Sequence, residues 1–368
     1  MKRAVLILAV CAALSACGNK EEARKAEADS KVLYVYNWND YIAEDTVAGF
    51  TKETGIKVVY DSNETLEAKL LSGSSGYDLV FPSARPFAEK QIAAGVYTDL
   101  DKGALANLGN LDPAILKSLG AIDPGNAKLV PYMWGTTGIG YNLKKVREIL
   151  GPDAAIDSWS LVFDPETAGK LAQCGIAVLD DPEDAISSAL LWKGVDPRVS
   201  DSKALEAAKQ AFLGTRANIK YFHSSQYISD LANGDICVAM GYSRDIFQAR
   251  DRAEEAANGV EIEFFIPKEG AVRWVDVMAI PGDAKNKANA MKFIDYLLRP
   301  RIAADISNYV SYATPNTPAR ALLDPELAAD ESVYPNAEVS AKLVDPVSFP
   351  ADVQRERVRL WTTIKTGK

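Results

Sequence analysis

From residue 32 the chain sets short, nearly continuous apolar runs against amphipathic stretches, and this alternation decides the fold class. "VLYVY" (32–36) is followed by "EDTVAGFTKETG", where Asp45 is placed to cap a helix and Gly55 to end it. "IKVVY" (56–60) comes next, then a helical stretch over 64–71, then "YDLVF" (77–81). "PFAEKQIAAG" follows, with Pro86 suited to a first helical turn and Gly95 to a C-terminal stop. Strands that are apolar throughout have both faces covered, so the pattern predicts an α/β fold with mostly parallel sheet and helices on both faces. A second α/β block begins after "YMWGTTGIGYN". It holds "GIAVL" (175–179), the helix "SKALEAAKQAFLG" (202–214), "ICVAM" (236–240), "IEFFI" (262–266) and "VMAIP" (277–281). A helix, "NKANAMKFIDYLL", is expected to stop at Pro300, and a proline-rich stretch to connect it to a last helix around "VQRERVRLWTTI". At 368 residues the chain has length for about two domains of roughly 150 residues each.

The first residues read as an export signal. Lys2 and Arg3 precede "AVLILAVCAAL", which is too short to span a bilayer. The run ends in "LSAC" (14–17), which is similar to a lipobox and makes Cys17 the expected lipidation site, with residues 1–16 removed. Ordinary signal cleavage nearby is the alternative. The polar segment 17–31 lacks apolar periodicity and reads as a flexible tether. Loss of Lys2 and Arg3 would take the net charge from −9 to −11. The expected location is the periplasm, with a membrane anchor if Cys17 is acylated. Cys174 and Cys237 remain in the exported part, where they form either one disulfide or two buried thiols.

Several function classes are set aside by what the sequence lacks. An acidic chain has no basic footprint for nucleic acid and favours cationic ligands. Gly135, Gly138 and Gly140 in "GTTGIGYN" look like a phosphate loop, but no Lys-Ser or Lys-Thr follows and the run reads as a strand. The one histidine, His223, has no Cys or His partner at metal spacing, and a Ser-His-Asp hydrolase would rest on it alone. The neighbours Asp180 and Asp181 could in principle serve as acid and base, yet adjacent side chains rarely face one site. No catalytic residue, cofactor or metal is expected.

What recurs is an aromatic residue with a carboxylate two or three positions away: Trp38 and Asp40, Tyr242 and Asp245, Trp274 and Asp276. On an extended segment, positions i and i+2 share a face, which would send Trp274 and Asp276 into one cleft. Each pair flanks a predicted strand, where ligands of open α/β sheets bind. Aromatic faces attract cations and cover methylene chains, while carboxylates accept charge-assisted bonds from ammonium groups. A linear diamine offers both features.

From about Val32 onward the chain resembles the periplasmic polyamine-binding proteins of ABC importers, their putrescine-binding branch above all. The motifs that carry this are "YNWNDYI", "YDLVFPS", "WGTTGIGYN", "SSQYISDLANGDICVAMGYSRD", "DVMAIPGDAKNK", "FIDYLLRP" and "ISNYVSYATPN". The resemblance implies a two-lobed type II periplasmic binding protein fold. Lobe 1 is expected over 32–134 and 253–320, lobe 2 over 135–252 and 321–368, with crossings near 134–138 and 250–256. It implies that Trp38, Asn39, Asp40, Tyr41, Ser83, Asp184, Ser224, Tyr242, Asp245, Trp274, Asp276 and Tyr312 bind the ligand. It also places Cys174 and Cys237 at the family's disulfide positions. The implied function is capture of a polyamine, putrescine first, by a monomer that delivers it to an ABC permease in the inner membrane. The alternatives are another cationic solute or a ligand-sensing lipoprotein. Three positions depart from the family pattern: Tyr242 stands where Trp is usual, Asp184 where Glu is usual, and "PSARPF" carries an extra residue. These bear on chain-length preference.

Overall fold

The structure, a computed structural model, describes residues 31–39, 41–62, 70 and 73–367. The expected export signal, most of the tether, Cys17, Asp40 and most of the helical stretch 64–71 lie outside the described residues. Ten strands run through the described chain: β1 (Val32–Tyr36), β2 (Lys57–Asp61), β3 (Leu79–Val80), β4 (Leu129–Asn142), β5 (Ile176–Val178), β6 (Ile219–Phe222), β7 (Val238–Tyr242), β8 (Ile262–Phe265), β9 (Ala271–Ala279) and β10 (Leu343–Val344).

The chain forms two compact units. The first takes the described residues up to Tyr132, then Asp276–Tyr309 and Pro315–Leu322; the second takes Met133–Val275, Val310–Thr314 and the chain from Leu323 onward. In the first unit β1 is central, parallel to β2 on one side and to β3 on the other, and β3 meets β9 antiparallel at Val80 and Ala279. The helix Glu44–Thr54 lays Phe50 edge-on against Phe293 (4.8 Å) and Tyr296 (5.4 Å) of the helix Lys287–Leu297. Gly55 ends the first of these helices in the left-handed conformation, as expected, at φ 71°. Asp45 does not cap it: Ala43 holds that position and Asp45 lies in the first turn, where its charge favours the helix dipole. The buried Asp78 accepts hydrogen bonds from the backbone N–H groups of Tyr34, Lys285 and Asn286, which ties β1 to the segment entering the helix Lys287–Leu297.

In the second unit β5 runs parallel to β6 and β7, while β4 runs antiparallel to β7 and β8. β10 adds to β9 in parallel at Leu343 and Ala271. Edge-to-face aromatic contacts fill the core, Phe163 against Phe212 at 4.9 Å and Phe212 against Trp361 at 5.5 Å. Trp361 belongs to the helix Ala351–Thr366, whose Trp361 Nε1 and Lys365 Nζ both reach Asp180. Cys174 and Cys237 are joined in a disulfide, Cα to Cα 5.5 Å, between the turn that leads into β5 and the start of β7.

Three readings change. The chain passes between the units inside β4, after Tyr132, and returns inside β9, after Val275. The expected crossing at 250–256 instead lies in the helix Ser243–Glu255 and its cap, within the second unit. Residues 253–275 go with the second unit because β8 is hydrogen-bonded to β4 and this helix packs against it. Pro300 stops one helix but opens another, Pro300–Val310, where its fixed φ and missing N–H suit a first turn. Pro86 does not open an α-helix. A wide turn over Ala84–Ala88, with Arg85 extended, precedes the helix Glu89–Ala93.

The glycines of "GTTGIG" have a packing role. A Cβ at Gly135 would stand 2.2 Å from the Trp274 ring, and one at Gly138 would stand 2.5 Å from Phe264. The run is a strand stripped of side chains so that aromatic rings can lie on it.

Candidate functional site

In the first unit the site grows from the C-terminal end of β1. Asn37 is fully buried, and its side-chain amide reaches back to the Tyr41 carbonyl at 3.5 Å. The Tyr132 hydroxyl donates to the same carbonyl at 2.6 Å, and the Tyr41 and Tyr132 rings meet edge-on at 5.3 Å. Tyr41 is thereby fixed with its hydroxyl donating to Asp276 Oδ2 at 2.7 Å. Ser83 pairs with Asp276 as an isolated antiparallel bridge, so the two side chains share a side, and Ser83 Oγ donates to Asp276 Oδ1 at 2.6 Å. Burial pushes the Asp276 carboxyl up to about 6 against the pull of these two hydroxyls. Trp38, whose backbone N–H donates to Asn37 Oδ1 at 2.9 Å, is 41% exposed.

In the second unit the site forms where β4, β7 and one helix end meet. Asp181 caps the helix Pro182–Trp192, its carboxylate accepting from the N–H groups of Glu183 (2.8 Å) and Asp184 (3.0 Å). Asp184 is buried in the first turn and accepts from the Thr137 hydroxyl. Thr137 is the β4 partner of Tyr242 on β7, which sets Tyr242 beside the same carboxyl. Desolvation, then the nearby Asp181 charge, push the Asp184 carboxyl up to about 8. The Tyr242 phenol is raised by burial and by Asp184, Asp181 and Asp245. Tyr242 meets Trp274 edge-on at 6.4 Å, and Trp274 meets Tyr312 at 4.8 Å. Asp245, in the first turn of the helix Ser243–Glu255, accepts from the Tyr227 hydroxyl, and burial raises its carboxyl.

Tyr41, Ser83 and Asp276 thus converge in one unit, and Asp184, Tyr242, Asp245, Trp274 and Tyr312 in the other. Trp274 and Asp276 share β9 at i and i+2, but their side-chain partners belong to different units. Asn39 and Ser224 are exposed, and neither is hydrogen-bonded to these carboxylates. Asp40 lies outside the described residues. Four residues that sequence reasoning missed hold the rest in place: Asn37, Tyr132, Thr137 and Tyr227. Thr137 is 47 positions from Asp184 and Tyr132 is 91 from Tyr41, so no local pattern connects them.

Among the described residues, no Lys or Arg lies within ion-pairing distance of Asp184 or Asp276. No group of three or more His, Cys, Asp or Glu side chains there could hold a metal. Buried carboxylates served only by hydroxyls, among aromatic rings, are sites short of a cation.

A family model described as bacterial extracellular solute-binding protein matches residues 45–335. The chain belongs to that family. As a solute-binding protein it is not an enzyme, and its fold is the type II periplasmic binding protein fold. It is 51% identical over 344 residues to the putrescine-binding periplasmic protein SpuD of Pseudomonas aeruginosa, covering 93% of this chain and 94% of that one. It is 51% identical over 345 residues to the putrescine-binding periplasmic protein PotF of Escherichia coli, covering 93% of each. The crystal structure of the spermidine/putrescine ABC transporter substrate-binding protein PotD from Streptococcus pneumoniae matches with a TM-score of 0.81 at 28% identity, over 92% of this chain and 99% of that one.

Proposed function

We propose that this solute-binding protein captures a linear polyamine, putrescine first, in the periplasm and delivers it to an ABC permease of the inner membrane. The observation that carries this is a buried carboxylate in each unit, Asp276 in the first and Asp184 in the second, each held by hydroxyls and, among the described residues, neither matched by a protein cation. Each is raised because burial penalises its charge, and an incoming ammonium relieves that penalty. Tyr41, Ser83 and Thr137 orient the carboxyl oxygens. Trp38, Tyr242, Trp274 and Tyr312 supply faces for methylenes and for the cationic ends. Identity of 51% to two putrescine-binding proteins agrees with that chemistry. Asp40, Asn39, Ser224 and Asp245 complete the proposed ligand set, and the protein acts as a monomer. Cys17 is the proposed lipid attachment site, and residues 17–31 the tether. Among the described residues no helix is long and apolar enough to cross a membrane.

The test is calorimetric titration of ligand-stripped protein with putrescine, cadaverine, spermidine and butylamine. Micromolar or tighter binding of a diamine, with butylamine silent, is the expected result. A monoamine leaves one buried carboxylate unpaired. Absence of heat with every amine would reject the polyamine reading.

A further inference from the structure

We propose that Arg244 is a specificity-determining residue, a resident cation that sets the second unit's aromatic and acidic cluster against ligands carrying a third ammonium group. The inference rests on the polyamine reading and sharpens it. The Arg244 guanidinium carbon lies 5.8 Å from the centre of the Tyr312 ring, and Tyr312 packs on Trp274 at 4.8 Å. One aromatic face in the cluster therefore already carries a cation, in the position a ligand ammonium would seek.

The carboxylates of the two units are not equally served. Burial raises the Asp245 carboxyl, while Arg244 and Arg252 pull it back down. Among the described residues no cation acts in this way on Asp184 or Asp276, where only hydroxyl groups oppose the effect of burial. A third ammonium placed near Tyr312 and Asp245 would meet a guanidinium that cannot shed its proton.

Helix stability does not account for the arginine. Arg244 is the second residue of the helix Ser243–Glu255, at the end where the helix dipole disfavours positive charge. It is half-buried, with its guanidinium over the Tyr312 ring and its charge acting on Asp245 and Asp251.

The experiment compares dissociation constants for putrescine and spermidine in the wild type, Arg244→Gln and Arg244→Lys, with thermal melts as a folding control. The wild type is expected to prefer putrescine. In Arg244→Gln the preference should shift towards spermidine by about tenfold or more, since a like charge is removed. Arg244→Lys, which keeps the charge, should stay near the wild type. An unchanged ratio in Arg244→Gln, in a folded variant that still binds putrescine, overturns the role of Arg244 and leaves the polyamine reading standing. So does a wild type that already binds spermidine as well as putrescine. A wild type that binds no amine overturns both.

Discussion

Asp184 is buried with its carboxyl pushed up to about 8, so in the ligand-free protein at pH 7 it is mainly neutral. An ammonium ligand stabilises the ionised form, and binding at pH 7 should therefore expel a proton. Affinity is expected to rise with pH up to about 8 and then level. Below about 6 the Asp276 carboxyl also takes up its proton, and affinity should fall more steeply. The stability of the free protein runs the other way. The folded state keeps the Asp184 proton where the unfolded chain has lost it, so this group costs stability as pH rises from the ordinary carboxylate range to about 8. Titration at pH 7 in two buffers of different ionisation enthalpy reads the proton directly. Equal heats in both would refute the coupling, and Asp184→Asn should abolish it. Asp276→Asn leaves a ligand charge without its partner and is expected to weaken binding by roughly 2–5 kcal/mol. Asn39→Ala, at an exposed position, should cost far less, and equal small losses would dismiss the assignment.

At the level of the element, the sequence suggested more than its motifs alone would show, but only where the signal was local. Gly55 as a helix stop, the apolar strands and the glycine-rich β4 were all legible because backbone conformation and side-chain period are written into neighbouring residues. The disulfide followed from a count of two in an exported chain together with the family's positions. His223 shows the limit. It is exposed. Its Nδ1 accepts from the backbone N–H groups of Ser225 (3.2 Å) and Gln226 (3.0 Å), capping the helix Gln226–Asn233 that carries Tyr227. A histidine cap has no sequence signature comparable to Ser or Asp. His223→Ala is expected to cost about 1 kcal/mol, read as a lower denaturation midpoint, with Asn recovering much of it. An unchanged midpoint would show that water serves those N–H groups as well. The bridge between Cys174 and Cys237 spans 63 positions. Its reduction should destabilise the second unit by roughly 4 kcal/mol, measured as the difference between melts with and without reductant.

For the whole molecule, length indicated two domains, yet the division of β9 between them could not be read from a run of residues that is continuous in period and apolarity. What decides it is pairing: Ala271 with Leu343, and Ala279 with Val80. Such partners lie far away in the chain, and alternation carries no record of them. Net charge is a property the sequence does give in full. The chain carries −9, and the proposed ligand is a dication. Long-range attraction acts on encounter, and it is screened beyond about 8 Å at physiological salt. The carboxylates proposed to hold the ligand lie in buried surroundings, where salt screens their contacts much less. Raising ionic strength from about 10 mM to about 300 mM should therefore slow putrescine association several-fold while dissociation changes little. Stopped-flow tryptophan fluorescence would follow this, since Trp38 and Trp274 belong to the proposed site. If dissociation carries the salt dependence instead, the ligand charges rest on exposed ion pairs, and Asp184 and Asp276 are not their partners.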